Sequence, residues 1–264
     1  MKLKLISIVG LAWGLTGCNS HAPIPSVSNP QPPAILSSPV RIYVAIDRTA
    51  SVSDSKIPSL KLDNLRPLLE LVKNVGGEVR VAEVCTSSDL RLNSFYMPEP
   101  PLAPQPPAAM PKSGTVNPLQ LPKLQKQYDL QAQAYQQQLS SYDRAVALRQ
   151  QEAQRNSTEF TTKISKILEQ PPNCKASDVV GTIERGDLYL SEAGNWRQPP
   201  RNIALLITDG LETARNNPKK VQFASNPQVL LVSSGGRAGI LQPLLGSNKP
   251  YESIEGAVRF ITGK

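Results

Sequence analysis

One histidine and three cysteines are all that 264 residues contain of those types, and aromatic side chains make up only 5% of the chain. The lone histidine, His21, excludes a His-cluster metal site and any two-histidine catalytic device. Three cysteines exclude a four-thiolate zinc site and a disulfide-dense scaffold. Proline, by contrast, is abundant at 25 residues, well above average usage, so part of the chain does not pack as regular core. Lys and Arg number 29 against 21 Asp and Glu. These basic residues are scattered, without the clustered patch and interleaved aromatics of a nucleic-acid binder, and no nucleic-acid partner is expected. The length leaves room for one sizeable domain plus additional segments.

Lys2 and Lys4 precede an apolar run from Leu5 to Leu15, which is followed by Thr16-Gly17-Cys18. A basic start, a short apolar stretch and small residues before a cut site describe an export signal. The run is too short for a stable span of about 20 apolar residues. Leu15-Thr16-Gly17-Cys18 resembles the lipobox of bacterial lipoproteins, in which the Cys becomes the lipidated first residue. That resemblance implies a signal peptide over 1–17 and an N-terminal lipid, such as palmitate, on Cys18. Removing 1–17 takes away two lysines and no acid, so the formal charge falls from +8 to +6. Asn19 rather than Asp after the lipidated Cys implies the outer membrane in preference to the inner one. Residues 18–38, rich in Pro and Ser, read as an extended tether too polar to pack.

Three short, nearly continuous apolar runs, Arg41–Ile46, Glu78–Val84 and Asn202–Thr208, read as strands buried on both faces of a parallel sheet; Gln228–Ser234 is similar. Helical patterns separate them. Leu62, Leu65, Leu69 and Val72 share one face, with Gly76-Gly77 as the stop signal. Pro67 suits only a first turn or a kink, which predicts a late start for that helix. Ser177–Glu192 and Glu252–Ile261 are further helical candidates. Strands alternating with helices predict a doubly wound α/β domain with a mostly parallel sheet. Val79–Val84 and Leu90–Phe95, separated by the turn-rich Cys85–Asp89, predict a hairpin that adds an antiparallel edge strand.

The middle of the chain differs. Pro98 to Pro122 holds nine prolines, which forbids a regular helix and favours extended backbone. A Gln-rich stretch follows, with Leu124, Tyr128, Gln131, Tyr135, Leu139, Tyr142 and Val146 spaced by three or four. That is a narrow stripe on a long helix reaching towards Arg155. It fits either a solvated helix folding back on the domain or a partner-binding or self-associating helix. Phe160, Ile164, Ile167 and Leu168 resume a core-facing pattern before Pro171-Pro172. Residues 97–157 therefore read as a Pro-rich, then Gln-rich helical insertion between 39–96 and 158–264.

The first strand runs into Asp47-Arg48-Thr49-Ala50-Ser51, and side chains just beyond the carboxyl ends of parallel strands line the binding crevice. Asp47, Thr49 and Ser51 supply a carboxylate and two hydroxyls, oxygen donors that suit a hard divalent cation such as Mg²⁺. The strand Asn202–Thr208 ends in Asp209-Gly210, which brings a second carboxylate if the two strands are neighbours. Ser177-Asp178 opens a helical pattern and offers a further hydroxyl.

These segments resemble the von Willebrand factor A (vWA) domain family. Asp47-x-Thr49-x-Ser51 is similar to its D-x-S-x-S metal-ion-dependent adhesion motif. Ala204–Gly210 is similar to its strand ending in T-D-G, and Ser177-Asp178-Val179-Val180-Gly181-Thr182-Ile183 to its T-D-I-x-G-A-L segment. Val81–Phe95 resembles the family's hairpin. The resemblance covers roughly 39–96 and 158–264. It implies that Thr49, Ser51 and Ser177 touch Mg²⁺ (or Mn²⁺), with Asp47 and Asp209 acting directly or through water. It also implies a protein partner whose acidic residue takes the open coordination position. Thr49 stands where the family has Ser, and Ser177 where it has Thr; both keep the hydroxyl.

The resulting expectation is a lipid-anchored cell-envelope binding module and not an enzyme. One alternative is a structural envelope protein acting through its helical insertion, with Asp47 and Asp209 merely capping helices in a degenerate site. A phosphoryl-transfer enzyme is the other, but it lacks the second carboxylate where Thr49 stands. The topology brings Cys85 and Cys174 towards one sheet edge, so in an oxidising compartment they either pair or remain small buried thiols. Arg185-Gly186-Asp187 spells an adhesion tripeptide but lies within a helical pattern. Gly235-Gly236-Arg237-Ala238-Gly239 lacks the spacing of a phosphate cradle and reads as a strand-to-helix turn.

Overall fold

The computed structural model describes residues 38–49, 57–86, 93–111, 117–170, 174–216, 221–233 and 238–263. Cys18 and Ser51 lie outside these residues, as do the expected signal over 1–17 and nearly all of the expected tether over 18–38.

Five strands form one sheet: β1 (Val40–Asp47), β2 (Gly77–Val84), β3 (Asn93–Met97), β4 (Arg201–Ile207) and β5 (Gln228–Val232), in the order β3-β2-β1-β4-β5. β1 is parallel to β2 and β4, β4 is parallel to β5, and β3 pairs antiparallel with β2. The protein is thus α/β with a mixed, mostly parallel sheet and an antiparallel edge. All eight residues of central β1 are buried, as a strand flanked on both sides and covered on both faces requires. Its one basic residue, Arg41, donates to the carbonyls of Leu190 and Glu192 at 3.3 and 2.7 Å.

Alternation along the strands divides the core in two. Ile42, Val44 and Ile46 face one cluster, while Tyr43 and Ala45 face the other. The first cluster takes in α1 (Leu62–Val75), the lower end of α2 (Leu121–Glu169) and α4 (Ile254–Thr262). The second takes in α3 (Val179–Ser191) and the short turn of helix over 239–245.

Several boundaries differ from those the sequence suggests. α1 begins at Leu62, ahead of Pro67 rather than at it. The Asn64 side chain accepts the Lys61 N–H at 2.9 Å and so secures the first turn, leaving Pro67 to remove one later helical bond. Among the described residues β3 spans Asn93–Met97, running two residues past the expected end at Phe95, because its register sets Gly77 opposite Met97 and Val81 opposite Asn93; residues 90–92 of the expected strand lie outside the described residues. β5 stops at Val232. Gly77, with φ at +127°, lets β2 start against β1, where a Cβ would stand 1.9 Å from the Val40 carbonyl oxygen.

α2 runs unbroken for 49 residues, so the stripe expected to fade near Arg155 and the core-facing pattern from Phe160 are one helix. Its buried residues are Ala153, Phe160 and Ile164, and Phe160 meets Phe95 with ring centroids 6.1 Å apart. Among the described residues no helix is long and apolar enough to cross a membrane.

Asp187, the acid of the adhesion-like tripeptide, has a local task. It accepts the backbone N–H groups of Ala224 and Ser225 at 3.0 and 2.8 Å, fixing the turn before β5 to α3. Burial raises its carboxyl, but the Ser225 hydroxyl and these amides outweigh that and hold it below the ordinary Asp value. A depressed folded-state value adds stability above the unfolded Asp pKa, and that contribution disappears as pH falls through the folded value. Urea titrations should therefore show wild type more stable than Asp187→Asn at pH 7, with the gap closing below about pH 4. In the same assay, Phe160→Ala should cost about 3–5 kcal/mol, since it empties a fully enclosed site.

Candidate functional site

Parallel register brings the carboxyl ends of the strands level: Asp47 lies opposite Val84, and Ile46 opposite Ile207, so Thr208 follows beside Asp47. There the Asp47 carboxylate joins three segments. Its Oδ1 accepts from the Thr49 N–H at 3.1 Å and from the Thr49 hydroxyl at 2.7 Å. Its Oδ2 accepts from the Thr208 hydroxyl at 2.8 Å. Thr49 Oγ1 in turn lies 2.9 Å from Ser177 Oγ. With the Thr49 proton on Asp47, Ser177 is the donor of that contact. Four side chains from the ends of β1 and β4 and the approach to α3 thus form one chain of oxygens, all buried.

Ser177 is placed by its backbone. Its N–H donates to the Thr213 hydroxyl at 2.8 Å, and its carbonyl accepts the N–H groups of Thr213 and Ala214 at 3.1 and 3.2 Å. Glu212 accepts the Val180 N–H at 2.9 Å. Asp178 caps α3 through the Gly181 N–H at 2.9 Å and pairs with Arg215, also at 2.9 Å. The loop after Asp209 is therefore clamped onto the start of α3. Thr208, Glu212, Thr213 and Arg215 were not among the sequence-derived candidates. The last three sit in a polar loop without periodicity, and only Thr208, inside the T-D-G segment, carried a signal.

From the other side, Cys174 bridges to Thr49 in a parallel backbone pairing, and a disulfide joins it to Cys85 with Cα atoms 5.1 Å apart. The stretch leading to Ser177 is thereby held to the ends of both β1 and β2. Arg48 points away from this cluster. It pairs with Glu83 at 2.8 Å and donates to the carbonyls of Ile167 and Gln170, where a cation suits the negative end of α2.

Asp209 is buried and accepts the Leu211 N–H at 3.0 Å. The backbone turns at Gly210, φ +70°, whose Cβ would come within 2.2 Å of the Ala238 carbonyl oxygen. That close approach reserves the position for glycine. Burial pushes the Asp47 carboxyl above its ordinary value; the Thr49 and Thr208 hydrogen bonds pull it down, and the charge of Asp209 raises it again.

Of the five expected ligands, the structure brings Asp47, Thr49 and Ser177 into direct contact and sets Asp209 close enough for its charge to act on Asp47. Ser51 lies outside the described residues. Among those residues no group of three or more His, Cys, Asp or Glu could hold a metal, so a cation here would depend on the hydroxyls. Ligands 2.0–2.1 Å from an octahedral Mg²⁺ stand about 2.9 Å from their neighbours. The separation of Thr49 Oγ1 and Ser177 Oγ equals that spacing. It is equally the length of an O–H···O bond, so without an ion the same groups satisfy one another. A cleft of about 290 Å³ opens beside Asp47 and Thr49, walled by Ile57, Pro58, Leu60 and Leu168.

Comparison of the chain with family models, curated proteins and solved structures gives no match. Thr208→Val should leave Asp47 Oδ2 without its hydroxyl donor and the Gly210 N–H without its 3.0 Å acceptor. Chemical denaturation should register a loss of about 1–3 kcal/mol, with most of it recovered in Thr208→Ser.

Proposed function

We propose that this chain is a lipid-anchored binding module of the cell envelope, built on a doubly wound, vWA-like domain that holds Mg²⁺ or Mn²⁺ at the carboxyl edge of its sheet. In this reading Thr49, Ser51 and Ser177 supply hydroxyl ligands, and Asp47 and Asp209 supply charge directly or through water. A protein partner completes the coordination sphere with an acidic side chain. Such a cation would offset the charge of two buried carboxylates at a point where burial and the charge of Asp209 disfavour ionised Asp47. The lipid on Cys18 would anchor the module to a membrane, the outer one by preference.

The observation that supports this reading most is the meeting of Thr49 Oγ1 and Ser177 Oγ, 128 residues apart in sequence, over one oxygen of Asp47. With the Thr208 hydroxyl on the other oxygen of Asp47, side chains of three separate segments meet around one carboxylate. The second reading, an envelope protein that acts through a Pro/Gln-rich helical insertion with a degenerate metal site, is favoured by one feature: α2 buries only Ala153, Phe160 and Ile164 over 49 residues.

Isothermal titration of the mature chain with MgCl₂ and MnCl₂ distinguishes the two. A saturable heat in wild type that disappears in Asp47→Ala and Ser177→Ala is expected for the metal site. No heat in wild type, or binding unchanged in Asp47→Ala, would leave the second reading.

A further inference from the structure

We infer that the Tyr128–Tyr135–Tyr142 stripe of α2 is a docking surface for the chain's own Pro-rich segment, residues 98–111. The two together make a self-contained polyproline–helix arm that projects from the sheet edge opposite the candidate site. This inference is independent of any metal.

Two periodicities carry it. Residues 98–111 contain seven prolines, which fix φ near −65° and favour the polyproline II helix with three residues per turn. Along this segment Pro101, Pro104, Pro107 and Met110 are partly covered, while the residues between them are exposed. Exposure that changes with a period of three means that one edge of a polyproline helix lies against something. On α2 the partly covered positions are Leu121, Leu124, Tyr128, Ala132, Tyr135, Leu139, Tyr142, Val146 and Arg149, the three-four spacing of one helical face. Residue type does not explain the pattern. Leu130 and Leu148 are 58% and 56% exposed, and Ala134 and Ala145 are exposed too. The same side chains are covered or bare according to the face they occupy.

Lengths and ends agree. Arg149 donates through Nε and Nη2 to the Pro98 carbonyl at 3.1 and 3.0 Å, pinning the start of the segment to the helix. From Pro98 to Met110 a polyproline helix advances about 37 Å. From Arg149 back to Leu124 the α-helix covers about 38 Å. At the far end, Asn117 accepts the Leu119 and Gln120 N–H groups at 3.0 and 2.8 Å in the turn that leads into α2. Seven helical residues advance about 10.5 Å and three polyproline residues about 9.3 Å, close enough for the rows to interleave over three repeats. Aromatic-lined grooves are what proline-rich segments dock into, since the preset backbone loses little entropy on binding.

Direction follows from the anchors. Arg48, just beyond β1, holds the C-terminal end of α2 at the carboxyl edge of the sheet. Arg149 reaches the Lys73 carbonyl at 2.6 Å, in the last turn of α1 before β2 begins. Residues 121–148 therefore extend beyond the opposite edge, where β1 also begins.

Hydrogen–deuterium exchange on the full mature chain tests the arm. Wild-type amides from 124 to 146 should exchange at least tenfold more slowly than in Pro101→Ser/Pro104→Ser/Pro107→Ser, at any protein concentration, while amides from 153 to 169 stay equal in both. Pro106→Ser, at an exposed position of the same segment, should leave exchange unchanged, and Pro104→Ser alone should give a smaller increase. Equal exchange in wild type and the triple variant would overturn the inference. So would an effect of Pro106→Ser as large as that of Pro104→Ser, or wild-type protection that grows with concentration, since a second copy would then cover the stripe.

Discussion

A single buried carboxylate organises the carboxyl edge of this sheet. Asp47 receives Thr49 on one oxygen and Thr208 on the other, and Thr49 passes the contact on to Ser177. Each hydrogen bond is ordinary, but their shared acceptor makes the ends of β1 and β4 and the start of α3 mutually dependent. The surrounding loops serve that arrangement. Thr213 and Ala214 fix the Ser177 backbone, Gly210 permits the close turn after Asp209, and the Cys174 pairing presses the approach to Ser177 against Thr49.

Much of the fold was legible because buried parallel strands announce themselves as short apolar runs. β1, β2 and β4 fall within one residue of the runs that suggested them, and the antiparallel edge was visible as a hairpin. The errors cluster where local signals compete with tertiary ones. Pro67 argued for a late start to α1, yet the Asn64 contact with Lys61 and the burial of Leu65, Leu68 and Leu69 outweigh one lost helical bond. The end of β3 at Met97 rather than Phe95 came from register, which composition does not encode when the turn is long. α2 looked like two patterns because its covered face changes partner along its length: Phe160 and Ile164 meet the core, whereas the tyrosine stripe lies beyond it.

The candidate site was legible to a similar degree. Asp47, Thr49, Ser177 and Asp209 could be picked out because each stands at a strand end or helix start, where parallel topology gathers side chains. Thr208 was overlooked as a participant since a threonine ending a strand is commonplace, and its importance depends on β4 lying next to β1. Glu212, Thr213 and Arg215 form a clamp that no periodicity marks. Cys85 and Cys174, separated by 89 residues, were readable only as two thiols near one edge until the bridge between Thr49 and Cys174 set their spacing.

That disulfide has a topological consequence. Everything from Thr86 to 173, including β3, the proline-rich stretch and all of α2, leaves and re-enters the molecule between the two joined cysteines, so the whole excursion is a covalently closed ring. A protease that nicks the backbone anywhere along it produces two chains still fastened at the ring's base. The half that carries Asp47 and Thr49 stays beside the half that carries Ser177 and Asp209. Clipping or lengthening of its exposed part, ahead of the core-facing end of α2, therefore leaves the covalent tie across the carboxyl edge in place.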